Sequence, residues 1–353
     1  MHDDKESASD ATALSSRKCR GSRLEHRPMS ADRKLAGRRV VITGASSGIG
    51  AATAMAFAKA GARLVLGSRG KDGLDDVAQR CVEAGGSAIV RPVDCTDAGA
   101  VAAFAAEARD LLGGIDLWFS CEGVGVLGRY EDVPIADHAR VVDVNLVAHM
   151  NDVHAVLPIF LAQDHGTWVN MISAGGFVAT PYAAAYSASK FGLRGFSSAL
   201  RGEVSKRPHI HICDVCPTFV DTPGVDHAGN YTGARLSLPP GSLAPETVAK
   251  AVVRLATHPR NLTAVGAPAI AFKLGEFAAP NLLAAILSGF LDTWSARAAD
   301  GNDNDGVLFE PGVPAGPDGG RRDPHRGRKV AAAAGGMAVL GLAGVGVWLG
   351  RRR

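Results

Sequence analysis

With 353 residues, 46% of them hydrophobic and 21% charged, the chain has enough apolar material for one large folded domain or two small ones, which excludes disorder throughout. Residues 321–353 carry eight Lys or Arg against one acid, so a net charge of +3 conceals a body of −4 in the other 320 residues, and this argues against nucleic acid as a partner. Six cysteines spread through so long a chain lack the density of a secreted disulfide framework, and a reducing compartment is expected.

In chain order, residues 1–37 are polar, mixed in charge and without hydrophobic period, and read as a disordered leader. They hold no apolar run of the kind a signal peptide needs. Ser15 to Arg27 is rich in Arg and Ser, as in a transit peptide, but Asp3, Asp4, Glu6 and Asp10 count against one. From Arg38 onward, short apolar runs alternate with longer amphipathic stretches. RVVIT precedes Ile49–Ala60, ARLVLG precedes Asp72–Ala84, SAIVRP precedes Ala98–Leu112, and IDLWFS precedes a long helical stretch around Val141–Gln163. TWVNMIS, a helix over Ala183–Ser205, and HIHICDV continue the series. This alternation predicts an α/β fold, a Rossmann-like doubly wound parallel sheet with helices on both faces, in one catalytic domain over 38–298. Cys213 and Cys216 form a CxxC inside a stretch that reads as a buried strand. They are core cysteines or a redox pair, and with no second CxxC to complete a zinc site, no metal is expected.

Residues 221–245 are rich in Gly and Pro and too long for an ordinary connection, which predicts a mobile substrate lid. A helix over Glu246–Thr257, a strand over Asn261–Val265 and an amphipathic helix near Asn281–Ala298 finish the domain, and 299–329 reads as a flexible linker. Residues 330–350 contain no charge; as a helix they rise about 31 Å, enough to cross a hydrocarbon core of about 30 Å. Arg321, Arg322, Arg326, Arg328 and Lys329 precede this segment and Arg351–Arg353 follow it, so the expectation is a single-pass C-terminal membrane anchor with the catalytic domain on the cytoplasmic side. The alternative, given the many Ala and Gly residues, is a soluble tail on a cytoplasmic protein.

Two stretches carry chemistry. VVITGASSGIG, residues 40–50, ends a strand in the glycine turn TGxxxGxG (Thr43, Gly44, Gly48, Gly50) and opens a helix. Such glycines let the backbone approach a pyrophosphate, whose charge is met by the helix N-terminus. The second stretch is MISAGGFVATPYAAAYSASK, in which Tyr186 and Lys190 lie four apart on one helix face. Ser173 stands at the C-terminal end of the preceding strand, where ligands bind in open α/β sheets. An adjacent ammonium favours the phenolate and brings a phenol of reference pKa about 10 toward a useful range, while a serine can donate to a carbonyl oxygen on which charge develops. At the end of the second strand, Ser68 and Arg69 stand where an acid would bind a ribose 2′-OH. A guanidinium there suits a 2′-phosphate, which favours NADP over NAD; a solvated surface arginine is the plain alternative.

Over residues 37–270 these motifs resemble the short-chain dehydrogenase/reductase family: TGASSGIG its cofactor loop, YSASK its YxxxK signature, and Asn145 in DVNL its fourth catalytic residue. The resemblance implies that Tyr186 is the acid/base, Ser173 orients the carbonyl, and Lys190 binds the nicotinamide ribose and lowers the tyrosine pKa. It implies that Asn145 holds a proton-relaying water. The implied cofactor contacts are Gly44, Ser46, Ser47, Gly48, Ile49 and Gly50 on the glycine loop, Ser68 and Arg69, Asp94 on adenine with Cys95 beside it, and Gly123. Asn145, Tyr186 and Lys190 belong to the same set, as do Pro217, Thr218, Val220 and Thr222 near the carboxamide. The family's NNAG appears here as Ser120, Cys121, Glu122 and Gly123, and its PG as Pro217 and Thr218. A homo-oligomer is also implied.

The expected function is NADP(H)-dependent interconversion of a carbonyl and an alcohol on a small-molecule substrate. Phe177, Val178, Pro181 and Tyr182 suggest an apolar one, such as a lipid, retinoid or steroid-like compound. A small polar ketone or sugar is the alternative substrate. A dinucleotide-binding sensor or scaffold without turnover is the alternative function, against which the complete set Asn145, Ser173, Tyr186 and Lys190 argues.

Overall fold

Each β-branched run becomes a strand in the computed structural model, which describes residues 35–238, 241–266, 280–295 and 298–322. The order is β1 (Arg39–Thr43), α1 (Gly48–Lys59), β2 (Arg63–Ser68), α2 (Lys71–Glu83), β3 (Ser87–Pro92), α3 (Ala98–Leu112), β4 (Leu117–Ser120) and β5 (Val126–Gly128). There follow α4 (Ile135–Val142), α5 (Ala148–Gln163), β6 (Gly166–Met171), α6 (Ala184–Glu203), β7 (Ile210–Pro217), β8 (Gly229–Tyr231), α7 (Pro245–Leu255), β9 (Leu262–Val265) and α8 (Pro280–Ser295). Seven strands form one parallel sheet in the order β3-β2-β1-β4-β6-β7-β9. This is the Rossmann-like doubly wound fold.

Strands covered on both faces are mostly apolar, and β4 and β6 are buried along their whole length, with the polar side chains of Ser120 and Asn170 hydrogen-bonded. One face packs Ile42, Leu66 and Phe119 against Phe57 of α1, Leu74 and Val77 of α2 and Val252 of α7. The other packs Val41, Trp118 and Trp168 against Phe104 of α3, Phe160 of α5 and Leu200 of α6. Burying a side chain such as Phe57 stabilises the fold by about 1.5 to 3 kcal/mol. Chain order reverses between β1 and β4, so their carboxyl ends open a crevice at the switch point where open α/β sheets bind ligands.

Four features differ from the sequence reading. Leu35, placed in the leader, is 3% exposed and packs against the first core layer. The helix expected around Val141–Gln163 begins at Ile135 and passes through a π turn at Asp143–Val147 before α5. A two-stranded parallel ribbon, β5 with β8, was not foreseen, because three-residue strands are too short to show a period. Residues 299–322, read as a linker, run along the domain: Asn304 exchanges backbone hydrogen bonds with Asn230, and Leu308 is fully buried. Their few apolar residues hide a path that backbone hydrogen bonds hold.

Cys213 and Cys216 are free and buried, and they pack in different clusters on β7, so they are core cysteines. The 221–245 segment is tied at its base, where Asp221 N–H donates to the Leu243 carbonyl and Leu243 N–H to that of Phe219. Among the described residues, only Ile135–Gln163 is long and apolar enough to cross a membrane, and it is a core element carrying the buried polar residues Asn145, His149 and Asp152. The leader through residue 34 and the 330–350 segment lie outside the described residues.

Candidate active site

The glycine turn is shaped by what its neighbours exclude. Gly44 (φ 66°) and Gly48 (φ 55°) adopt the left-handed region that side chains disfavour. A Cβ at Gly44 would run into the Cys121–Glu122 backbone, and one at Gly50 into the Gly44 carbonyl. The loop thus lies flat on the floor formed after β4, with bare backbone toward the crevice. Ser46 Oγ is 3.0 Å from Ser68 Oγ, joining the loop to the end of β2. Ser47 is the N-cap of α1 and accepts the Ala51 N–H through its carbonyl, while Ile49 packs on the first core layer. A Cβ at Gly48 would stand 3.3 Å from the Thr222 side chain, so the loops after β1 and β7 face each other.

The four catalytic candidates converge from three elements. Asn145 sits in the π turn, a distortion frequent at functional sites. Its Nδ2 donates to the Val124 carbonyl at 2.9 Å and to Ser189 Oγ at 3.3 Å, and its Oδ1 accepts the Val124 N–H at 2.8 Å. It therefore clamps the loop after β4 to α6. Lys190 is 3% exposed, donates from Nζ to the Met171 carbonyl at 3.2 Å, and lies 5.8 Å from the Tyr186 ring centroid. A Cβ at Gly123 would lie 3.5 Å from Asn145 Oδ1 and 3.8 Å from Lys190 Nζ, so that glycine leaves both polar groups uncovered. Ser173 caps a short turn, its Oγ accepting the Gly175 N–H at 3.0 Å.

Burial sets the electrostatics. It pushes the Tyr186 phenol above its ordinary value, with a hydrogen bond from Ser173 working the other way. It draws the Lys190 ammonium down to about 8, against the pull of Cys121 and Glu122. The sequence reading has the lysine depress the tyrosine; here burial raises the phenol, and the opposing influence is the Ser173 hydrogen bond.

Behind the crevice runs a buried polar spine that sequence reasoning missed. Asp152 Oδ2 accepts from Thr43 at 2.5 Å, Trp118 Nε1 at 3.0 Å and Ser120 at 2.7 Å, and Ser120 Oγ accepts from Trp168 Nε1 at 2.8 Å. Burial beside Glu122 raises the Asp152 carboxyl far above its ordinary range, and burial raises that of Glu122 too. Burial near Lys190 drops His149 to about 4; its ring sits 2.7 Å from Asn170 Oδ1 and 2.8 Å from the Glu122 carbonyl. The departure from the family's NNAG thus feeds this spine. The signal is in His149 and Asp152, polar residues three apart on the buried face of α5, which they share with Ala148, Val153, Val156 and Phe160.

At the far end of the crevice, Arg69 meets a residue the sequence reading did not single out, Arg140. Arg140 Nη2 is 3.6 Å from Asp94, whose Oδ1 accepts from the Thr96 N–H and hydroxyl. Burial opposes ionisation of Asp94, but Thr96 and the two arginines hold its carboxyl below the usual range. Burial and Arg140 lower the Arg69 guanidinium. Cys95 is buried beside Asp94. Pro217 ends β7, Thr218 N–H donates to the Val265 carbonyl, and Val220 pairs with Leu243.

Phe177 and Val178 do not line the crevice. They are 4% and 5% exposed; Phe177 packs with Ile172 and Leu193 and is covered by the Arg194 guanidinium 4.1 Å from its ring centroid. A cleft of about 400 Å³ lies instead beside Tyr182 and Ala184, bounded by Arg129, Tyr130 and His138. Tyr182, at φ 63°, donates from its hydroxyl to Asp292 of α8 at 2.5 Å.

The sequence model of the family described as short chain dehydrogenase matches residues 38–230. The chain is 32% identical over 220 residues to the ketoacyl reductase HetN of Nostoc, covering 62% of this chain and 75% of that one. It is 30% identical over 206 residues to estradiol 17-beta-dehydrogenase 11 of Mus musculus, covering 58% and 69%. An alcohol dehydrogenase from Thermococcus sibiricus, solved with 5-hydroxy-NADP, shares the fold at a TM-score of 0.56 and 24% identity, covering 65% of this chain and 96% of that one.

Proposed function

The chain belongs to the short-chain dehydrogenase family, and on that premise we propose that it is an NADP(H)-dependent reductase of apolar ketones or aldehydes, attached to a membrane through residues 330–350. The observation that carries the cofactor choice is the pair of guanidiniums, Arg69 just after β2 and Arg140 of α4, which share the Leu308 carbonyl and outnumber the one carboxylate paired with them, Asp94. Two cations at one point suit a phosphate, and Ser68 and Arg69 leave the end of β2 without the acid that would hold a ribose 2′-OH and repel it. The positive-φ glycines and the bare loop backbone fit a pyrophosphate in the same crevice.

When bound, the nicotinamide supplies the hydride. The Tyr186 hydroxyl donates its proton to the substrate's carbonyl oxygen, the Ser173 hydroxyl donates a hydrogen bond to that oxygen, and the buried Lys190 ammonium stabilises the charge left on the phenol. Asn145 keeps the Val124 loop and α6 in register around them. Such a set argues for turnover over a sensor or scaffold role.

An apolar substrate draws support from the mouse relative named as an estradiol dehydrogenase. A second reading, a small polar or acidic ketone, draws support from Arg129 and His138 in the cleft beside Tyr182, and from the relative in Rhizobium meliloti named D-beta-hydroxybutyrate dehydrogenase. The deciding experiment for the cofactor is a titration of NADPH and NADH against wild type and Arg69→Ala. Wild type should bind NADPH at least tenfold more tightly, and the variant should lose most of that ratio; equal affinities in wild type would refute the reading. A panel of steroid, retinoid and short hydroxy-acid substrates followed by NADPH absorbance separates the two substrate classes.

A further inference from the structure

The groove that fits the dinucleotide is already in contact with this chain's own backbone. Arg69 donates from Nη2 to the Val307 carbonyl at 2.7 Å, and from Nη1 to those of Leu308 at 3.3 Å and Phe309 at 2.7 Å. Arg140 Nε donates to the same Leu308 carbonyl at 2.9 Å, so two guanidiniums share one neutral oxygen. Further on, the Gly48 N–H of the glycine turn donates to the Gly316 carbonyl at 2.9 Å. The Arg321 and Arg322 N–H groups then donate to Asp221 Oδ2 at 2.8 and 2.7 Å, and Arg321 Nη1 reaches the Thr222 carbonyl at 3.4 Å. Residues 307–322 therefore touch, in order, the arginine pair, the glycine turn and the loop after β7. A bound dinucleotide needs the same three places, for its 2′-phosphate, its pyrophosphate and its carboxamide.

We propose that residues 305–322 are a tethered peptide ligand of the dinucleotide groove, which the cofactor must displace in order to bind. A peptide carbonyl stands in for a phosphate oxygen at the arginine pair and again at Gly48: it takes the donor but brings no charge to match the cations. One N–H serves one acceptor at full strength, so Gly48 cannot hold both the strap and a phosphate, and the Arg69 donors already engaged are not free for another. The strap is held at both ends, by the buried Leu308 beside Val126 and Val141 and by Asp221. The chain thus samples closed and open states, and its apparent cofactor affinity falls by the fraction that is closed. The proposal rests on the cofactor occupying this groove and is independent of which dinucleotide is preferred.

The test is a reversible lock. A Cβ at Gly70 would stand 3.2 Å from Pro311 Cβ, close to the separation of about 3.5 to 4.5 Å that a disulfide spans, and Gly70 has an ordinary φ of −83°. In Gly70→Cys/Pro311→Cys, oxidation should weaken NADPH and NADH alike by at least thirtyfold in a fluorescence titration, and reduction should restore both to within threefold of wild type. Binding by the oxidised form as tight as by the reduced form would overturn the proposal. If the reduced form binds both dinucleotides equally, the 2′-phosphate reading fails while the strap stands. On the unmodified full chain, saturating NADPH should speed tryptic cleavage at Arg321–Arg322 about tenfold, mapped by fragment mass; unchanged or slower cleavage would count against displacement.

Discussion

Tyr186 and Lys190 share a helix face and a site, yet burial moves them in opposite directions, the phenol upward and the ammonium down to about 8. For carbonyl reduction both must carry their protons, and the lysine is the first to lose its own as pH rises. Reductive kcat/KM should therefore be level below pH 8 and fall about tenfold per unit above it. A profile level through pH 9.5 would remove Lys190 from the proton-dependent step. Tyr186→Phe removes one oxygen and keeps the ring, so turnover should drop by about two orders of magnitude while the NADPH Kd stays within twofold; retained turnover would mean that another group donates the proton. The identities of these residues were legible because their spacing is local. The strength of their coupling was not, since it depends on depth of burial and on the Met171 carbonyl that holds Nζ, which come from different elements.

Among the elements, β1 and β4 meet at an ion pair that sequence periodicity does not reveal. Asp116, just ahead of β4, accepts the Arg39 N–H at 3.0 Å, pairs with the Arg39 guanidinium, and lies 3.2 Å from His165 Nε2 ahead of β6. Burial works against its charge, yet Arg39 and His165 hold the carboxyl at about 2. The unfolded value is higher, so the contribution to stability is fully present above pH 4 and is lost as pH falls toward 2. Asp116→Asn should cost about 2 kcal/mol at neutral pH, with the gap to wild type closing between pH 4 and 2 in denaturant titrations. A gap that persists at pH 2 would assign the loss to packing instead. Seven strands and most of their helices are legible because short apolar runs alternate with longer amphipathic stretches. The β5–β8 ribbon and the π turn at Asn145 are not, because three residues or one extra residue per turn leave no periodic trace.

At the scale of the whole molecule, two stretches of the C-terminal region must be kept apart. Residues 299–329 read as a linker from their Gly, Pro and Asp content, and that composition is silent about the backbone carbonyls with which residues 307–316 engage Arg69, Arg140 and Gly48. Residues 330–350 are uncharged and bounded by arginines, and the proposal of a membrane anchor rests on that pattern alone. The two roles separate in a chain ending at Pro324, which keeps every strap contact described here and lacks the apolar segment. The full chain should sediment with membranes at high speed and be released by detergent but not by carbonate, whereas the shortened chain should stay in the supernatant. Because the strap is intact in both, their NADPH affinities should agree within twofold. A full chain that remains in the supernatant would end the anchor proposal. An affinity that rises severalfold on truncation would instead mean that the apolar segment helps to hold the strap in the groove.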